Sequence, residues 1–163
     1  MMDSPKRIPI FVLRLIALGA AVTAAILMFS AHDTAHVFNM TFEAKYTNSP
    51  TFKYFLIINA VASVYSLLVL CCPTNTSMAR FLLVMDLIIL LLLDSAISSN
   101  VAIGQVGRNG NSHAGWLPIC NQVPKFCKQT TAAVIGGFVA SLSYLFIVLC
   151  SFHNEVNLLP PKD

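Results

Sequence analysis

The chain has 163 residues, of which 56% are hydrophobic and only 10% are charged. Soluble domains carry about a quarter charged residues, so a water-soluble fold of this length is excluded and the apolar excess must face lipid. The net charge of +3 is scattered rather than gathered on one stripe, which excludes a nucleic-acid-binding surface.

The length suits one domain over residues 1–163. A helix needs about 20 apolar residues to cross a hydrocarbon core roughly 30 Å thick. Four stretches meet that need: 8–29, 54–70, 81–102 and 130–151. The expected fold is all-α, a polytopic membrane protein built as a four-transmembrane-helix bundle.

The first span follows Lys6 and Arg7, as a cleaved signal peptide would. Its apolar run of about 22 residues exceeds the roughly 7 to 15 of a signal, so it reads as a retained helix. It carries Arg14 and a row of small residues, Ala17, Ala21 and Ala25, beside Gly19 and Thr23. Beyond it lies a polar loop with His32 and His36, which favour a weak metal contact only if helical. Asn39-Met40-Thr41 is an N-glycosylation acceptor triplet. The second span is short and is extended toward the interface by Phe52 and Tyr54. Cys71, Cys72 and Pro73 end it, and the two cysteines are palmitoylation candidates. Asn75-Thr76-Ser77 repeats the glycosylation pattern at the opposite face, where it should be silent.

The third span holds Asp86, then an uninterrupted apolar run from Leu87 to Leu93, then Asp94, Ser95, Ser98 and Ser99. Asp94 has no intramembrane cation at its depth; Asn59 or water are the partners available to it. In the following loop Cys120 and Cys127 flank Pro124, which favours a turn that brings the two sulfurs together. A disulfide closing so short a loop stabilises by about 2–3 kcal/mol in the chain-entropy model. A zinc site at His113 and a redox pair are the weaker readings of the same cysteines. Trp116 is expected to anchor this loop at the interface, and Lys125 and Lys128 offer it positive charge. The fourth span carries Ala133, Gly137 and Ser141, beside Ala132, Gly136 and Ala140. Such small-xxx-small rows let backbones approach, within the bundle or between protomers.

Both termini are expected in the cytosol. A plain count of basic residues slightly opposes this, since Lys45, Lys53, Arg108, Lys125 and Lys128 then lie outside. Lys6 and Arg7 abut the first span, however, and only this orientation puts Asn39 outside. It also puts the even pair Cys120 and Cys127 outside and Cys71, Cys72 and Cys150 inside, matching the redox difference across a plasma membrane.

Arg14 lies roughly 9 Å below the inner boundary and Asp86 roughly 8 Å, at about 1.5 Å per residue. The first and third helices run in the same direction, so the two charges are level. An intramembrane ion pair offsets much of the cost of either charge alone, and a bidentate contact would fix helix rotation. The competing readings are snorkelling of Arg14 to the headgroups beside a neutral Asp86, and a proton or ion pathway. The apolar run between Asp86 and Asp94 weighs against a pathway. No nucleophile with a base, carboxylate pair, metal cluster or phosphate loop is recognisable, so neither enzymatic activity nor a cofactor is expected.

The loop GNSHAGWLPICNQVPKFCKQ resembles the second extracellular loop of the plant Casparian strip membrane domain protein-like (CASP-like) family. The segment AKYTNSPTFKYFLIINAVASVYSLL, from Ala44 to Leu68, is similar to that family's approach to its second helix. The basic residue of helix one and the aspartate of helix three match Arg14 and Asp86. The resemblance runs from about Ile10 to Leu149. It implies a plant plasma-membrane protein, distantly related to MARVEL-type proteins, that forms homo- and heteromeric assemblies with family members. Founding members build platforms that organise wall-modifying proteins and a diffusion barrier. Their first-loop signature, rich in Phe and Thr-Gln, is not found between Ala31 and Lys53, which places the chain among the CASP-like members. The function expected is a non-enzymatic scaffold in contact with lipid; the alternative is a small channel or proton-coupled transporter.

Overall fold

The structure is a computed structural model that describes residues 7–37, 40–71 and 76–157. Its four long helices are α1 (Arg7–Phe29), α2 (Pro50–Cys71), α3 (Thr76–Asn109) and α4 (Pro124–Asn157). All four are long and apolar enough to cross a membrane. Helices suit this solvent because each satisfies its backbone polar groups within its own segment. The structure is therefore the four-transmembrane-helix bundle expected from hydropathy.

Three helices begin on proline or carry it in the first turn, where a missing N–H costs nothing: Pro9 in α1, Pro50 in α2 and Pro124 in α4. Helix α2 ends at Cys71, before Pro73. Helix α3 ends at Gly110, whose φ of 68° is the left-handed cap that an L side chain resists. These stops explain why the helices overrun the expected spans 54–70, 81–102 and 130–151. Hydropathy registers only the part inside hydrocarbon. Helices α3 and α4 have 34 residues each and are about 51 Å long, so both project well beyond a core roughly 30 Å thick.

The helices form a ring in which α1 and α3 each pack between α2 and α4. The seam of α1 is Ala17, Ala21, Ala24 and Met28, all fully buried. This corrects the expected row: Ala24 replaces Ala25, and Gly19 points into open space. On α4 the buried face is Ala133, Gly137, Ala140, Ser141, Tyr144 and Ile147, with Ala132 exposed. A Cβ on Gly137 would stand 3.0 Å from the Phe55 ring, and one on Gly136 would stand 3.3 Å from Ala24 Cβ. Small residues thus set the α1–α4 approach, and Phe55 fills the room beside Gly137.

The segment after α1 departs from the expected polar loop. Strands β1 (His32–Val37) and β2 (Met40–Lys45) pair antiparallel, from His32 opposite Lys45 to Val37 opposite Met40. A two-stranded hairpin is marginal alone, so its stability must come from what it touches. Asp33 Oδ2 accepts from the Lys125 backbone N–H at 3.0 Å, satisfying one of the unpaired donors at the start of α4. Beneath it a small cluster of Ala31, Val123 and Phe126 gathers Ala44, Phe52 and Cys127, with Phe52 and Phe126 edge to face at 5.4 Å. His32 and His36 therefore sit on a strand, about 13 Å apart along it, and not on one helical turn. The helical spacing that a shared metal contact required is lost.

Candidate functional site

The polar centre of the bundle lies at the cytosolic end of the expected orientation. Arg14 Nη2 stands 2.6 Å from Asp86 Oδ2, with both side chains buried. The contact uses one guanidinium nitrogen, not a two-bond fork, because the other carboxylate oxygen is taken. Tyr65 Oη donates to Asp86 Oδ1 at 2.8 Å. The Tyr65 ring also lies 5.8 Å from the Arg14 guanidinium carbon, within cation–π reach. Asp86 thus joins α3 to α1 and α2, and its pairing with α1 crosses the ring diagonally.

A second chain of bonds adds α4. The Tyr144 ring stacks on Tyr65 with centroids 6.4 Å apart. Tyr144 Oη donates to the Ala62 carbonyl at 3.0 Å and lies 2.7 Å from Ser66 Oγ, which donates to it. Tyr144 and Ser66 are fully buried. The four helices are therefore held by six residues whose polar atoms satisfy one another, Arg14 Nη1 excepted. Tyr65, Ser66 and Tyr144 were not read from the sequence as site residues. Their signal was present: hydroxyls within otherwise apolar spans, at a depth a carboxylate also occupies.

The rest of the membrane interior is divided from this centre. Ile89, Leu90 and Leu93 are buried between Asp86 and Asp94. Asp94 does not meet Asn59, whose amide donates to the Phe55 carbonyl at 2.9 Å. Instead Asp94 Oδ1 accepts from Ser141 Oγ at 2.5 Å, joining α3 to α4, while the aspartate itself stays exposed. Asn100 Nδ2 reaches the carbonyls of Ala96 and Thr51, at 2.8 and 3.3 Å, and ties α3 to the outer end of α2.

The face at the other end of the bundle is built from both loops. A disulfide joins Cys120 to Cys127, with Cα atoms 5.7 Å apart. Pro124 does not sit in a turn between them; it opens α4, and the turn forms where Gln122 and Val123 N–H bond to the Ile119 carbonyl. The Gly107 carbonyl at the end of α3 accepts from the Ile119 and Cys120 N–H groups, folding the loop back on that helix. The Asn111 side chain caps the turn by accepting from the His113 and Ala114 N–H groups. Trp116 and Leu117 remain 58% and 79% exposed. At the opposite end Cys71 is exposed and Cys150 half-buried, both as free thiols. Asn39 and Cys72 lie outside the described residues. Among the described residues no group of three or more His, Cys, Asp or Glu could hold a metal ion.

These helices and this bridged loop match a known domain. The family model described as the Casparian strip membrane protein domain covers residues 3–143. This chain belongs to that family. It is similar to the CASP-like protein 1C1 of Arabidopsis thaliana, 49% identical over 96% of each chain. The CASP-like protein 1C2 of Ricinus communis is 48% identical over 91% of this chain and 90% of its own. The CASP-like protein 1C1 of Vitis vinifera is 48% identical over 95% and 98% respectively. No solved structure gives a significant match. The chain is thus a multi-pass membrane protein of the plant CASP-like group, and those family names denote membrane proteins rather than enzymes.

Proposed function

We propose that this CASP-like protein is a non-enzymatic scaffold of the plasma membrane, which oligomerises with itself and related members and holds partner proteins at fixed positions. The observation that carries this reading is the use made of the buried polar groups. Arg14, Asp86 and Tyr65 form one bonded set and Tyr144, Ser66 and the Ala62 carbonyl another, the two meeting where Tyr144 stacks on Tyr65, so their chemistry is spent on fixing four helices. Such a centre gives a rigid body with an outer face clamped by a disulfide. The apolar layer of Ile89, Leu90 and Leu93 favours this over the channel or transporter reading. Family membership supports a lipid environment; other family members are the proposed neighbours, and local wall modification or a diffusion barrier the proposed process.

Both termini are proposed to face the cytosol. The bridged Cys120 and Cys127 lie at one end, and the free thiols Cys71 and Cys150 at the other, which fits an oxidising exterior and a reducing interior. Asn39 is the proposed glycosylation site, and Cys71 and Cys72 the proposed lipidation sites. The ion pair Arg14–Asp86 is proposed as the element that specifies the bundle.

Fluorescence recovery after bleaching in plant epidermis, paired with native gels of mild-detergent extracts, tests the scaffold. Slow recovery and stable higher-order bands are expected. Free diffusion of a strict monomer overturns the proposal. Glycosidase treatment should remove a carbohydrate shift that the Asn39→Gln variant lacks, and Cys71, freed of any acyl group by hydroxylamine, should react with an impermeant thiol reagent only after permeabilisation; reaction in intact cells overturns the orientation.

A further inference from the structure

Most hydroxyl groups in the middle of the spans are used inside the bundle. Thr23, Ser63, Ser99 and Ser143 donate to carbonyls of their own helices. Ser66 pairs with Tyr144, and Ser141 donates to Asp94. Ser95 and Ser98 make no hydrogen bond among the described residues, and both lie exposed on α3 beside exposed Asp94. Asp94 spends one carboxylate oxygen on Ser141 and has the other open to the surroundings. Toward the cytosol the same outward stripe is lipid-like, with Val84, Leu87 and Leu91 exposed. Toward the outside it turns polar and small: Asp94, Ser95, Ser98, Ala102 and Gln105.

A carboxylate is among the least favourable side chains to leave against hydrocarbon, and lipid tails offer it no donor. We propose that this face of α3 is where a second copy of the chain docks within the membrane, its Ser95 and Ser98 hydroxyls donating to Asp94. The inference rests on the oligomeric reading above and deepens it by naming the surface. The occupant follows from the donor and acceptor inventory. One face carries an open carboxylate oxygen and two unused hydroxyls within a single turn, so it complements itself about a two-fold axis along the membrane normal. Ser98 and Ala102 stand four residues apart beyond Asp94, and side chains that small let two α3 helices approach closely enough for such bonds. Each copy brings the donors that the other copy's carboxylate lacks.

The test uses the full chain with serine at Cys71, Cys72 and Cys150, reconstituted in phosphatidylcholine vesicles and oxidised with copper phenanthroline. Ser98→Cys should give a covalent dimer, whereas Val64→Cys, exposed on α2, should not. In the otherwise native chain Ser98→Leu should lower the dimer fraction by about tenfold while leaving thermal unfolding unchanged, because leucine suits a lipid-facing position. If the wild type associates but Ser98→Cys fails to link and Ser98→Leu has no effect, this face is wrong and the scaffold reading stands. If the wild type is monomeric in vesicles at every protein density, both fail. If Ser98→Cys in plant membranes links only to a different protein, the second-copy assignment is overturned.

Discussion

Asp86 offers two carboxylate oxygens, and each is held by a different helix: one by Arg14 of α1, the other by Tyr65 of α2. Removing either donor leaves a buried acceptor short. Tyr65→Phe should therefore cost about 1–3 kcal/mol, read as thermal unfolding in detergent. Tyr144→Phe should cost less, under about 1 kcal/mol, for a local reason. Ser66 lies one turn beyond Ala62, whose carbonyl Tyr144 now occupies, and can bond to that carbonyl once it is vacated. The ion pair itself is tested by charge exchange. Arg14→Asp and Asp86→Arg should each cost about 3–5 kcal/mol by stranding a buried charge, and the double variant should recover much of it. A double variant no better than the worse single one removes the pair from the account.

At the scale of elements, glycines in similar helices have opposite expected effects. Gly137→Ala should destabilise by about 1–3 kcal/mol, since its Cβ would press on the Phe55 ring at 3.0 Å. Gly19→Ala, with nothing within 4 Å, should stabilise α1 by up to about 1 kcal/mol. Thermal unfolding of the two variants decides between them. The hairpin depends on one bond for its angle to α4. Asp33→Ala should cost about 1 kcal/mol and speed amide exchange across β1 and β2 before any change in the spans. What was legible in the sequence follows the same division. Spans could be read because lipid imposes one composition over twenty residues, and Arg14 and Asp86 because charge is rare there. The register of α1 was misplaced by one residue at Ala25, because alanines surround the seam and period alone cannot choose among them. The hairpin was missed because two short strands gain their stability from Asp33, Phe52 and Phe126, which are distant in sequence from one another. Tyr65 and Tyr144 were missed because an aromatic ring in a span reads as apolar until its hydroxyl finds a partner.

For the whole molecule, the two ends are stabilised by different means. The half that holds Arg14 and Asp86 relies on buried polar bonds, the opposite face on a disulfide and a small apolar cluster. Reduction, or Cys120→Ser with Cys127→Ser, should cost about 2–3 kcal/mol. Faster amide exchange should be confined to residues 110–127, with the Arg14 and Asp86 segments unchanged. Spreading of that exchange into the spans would mean that the two ends are one cooperative unit. The diagonal pairing also has a consequence for synthesis. Arg14 and Asp86 are 72 residues apart in the chain. At about 5–20 residues per second, the ribosome delivers the carboxylate roughly 4–14 s after the guanidinium. During that interval the first helix is held in the hydrocarbon by its apolar residues, while its guanidinium, still without a partner, is drawn toward the headgroups. The guanidinium therefore takes its final place only when the third span arrives, so a truncated or stalled chain is distinguishable from a finished one by its unmatched arginine.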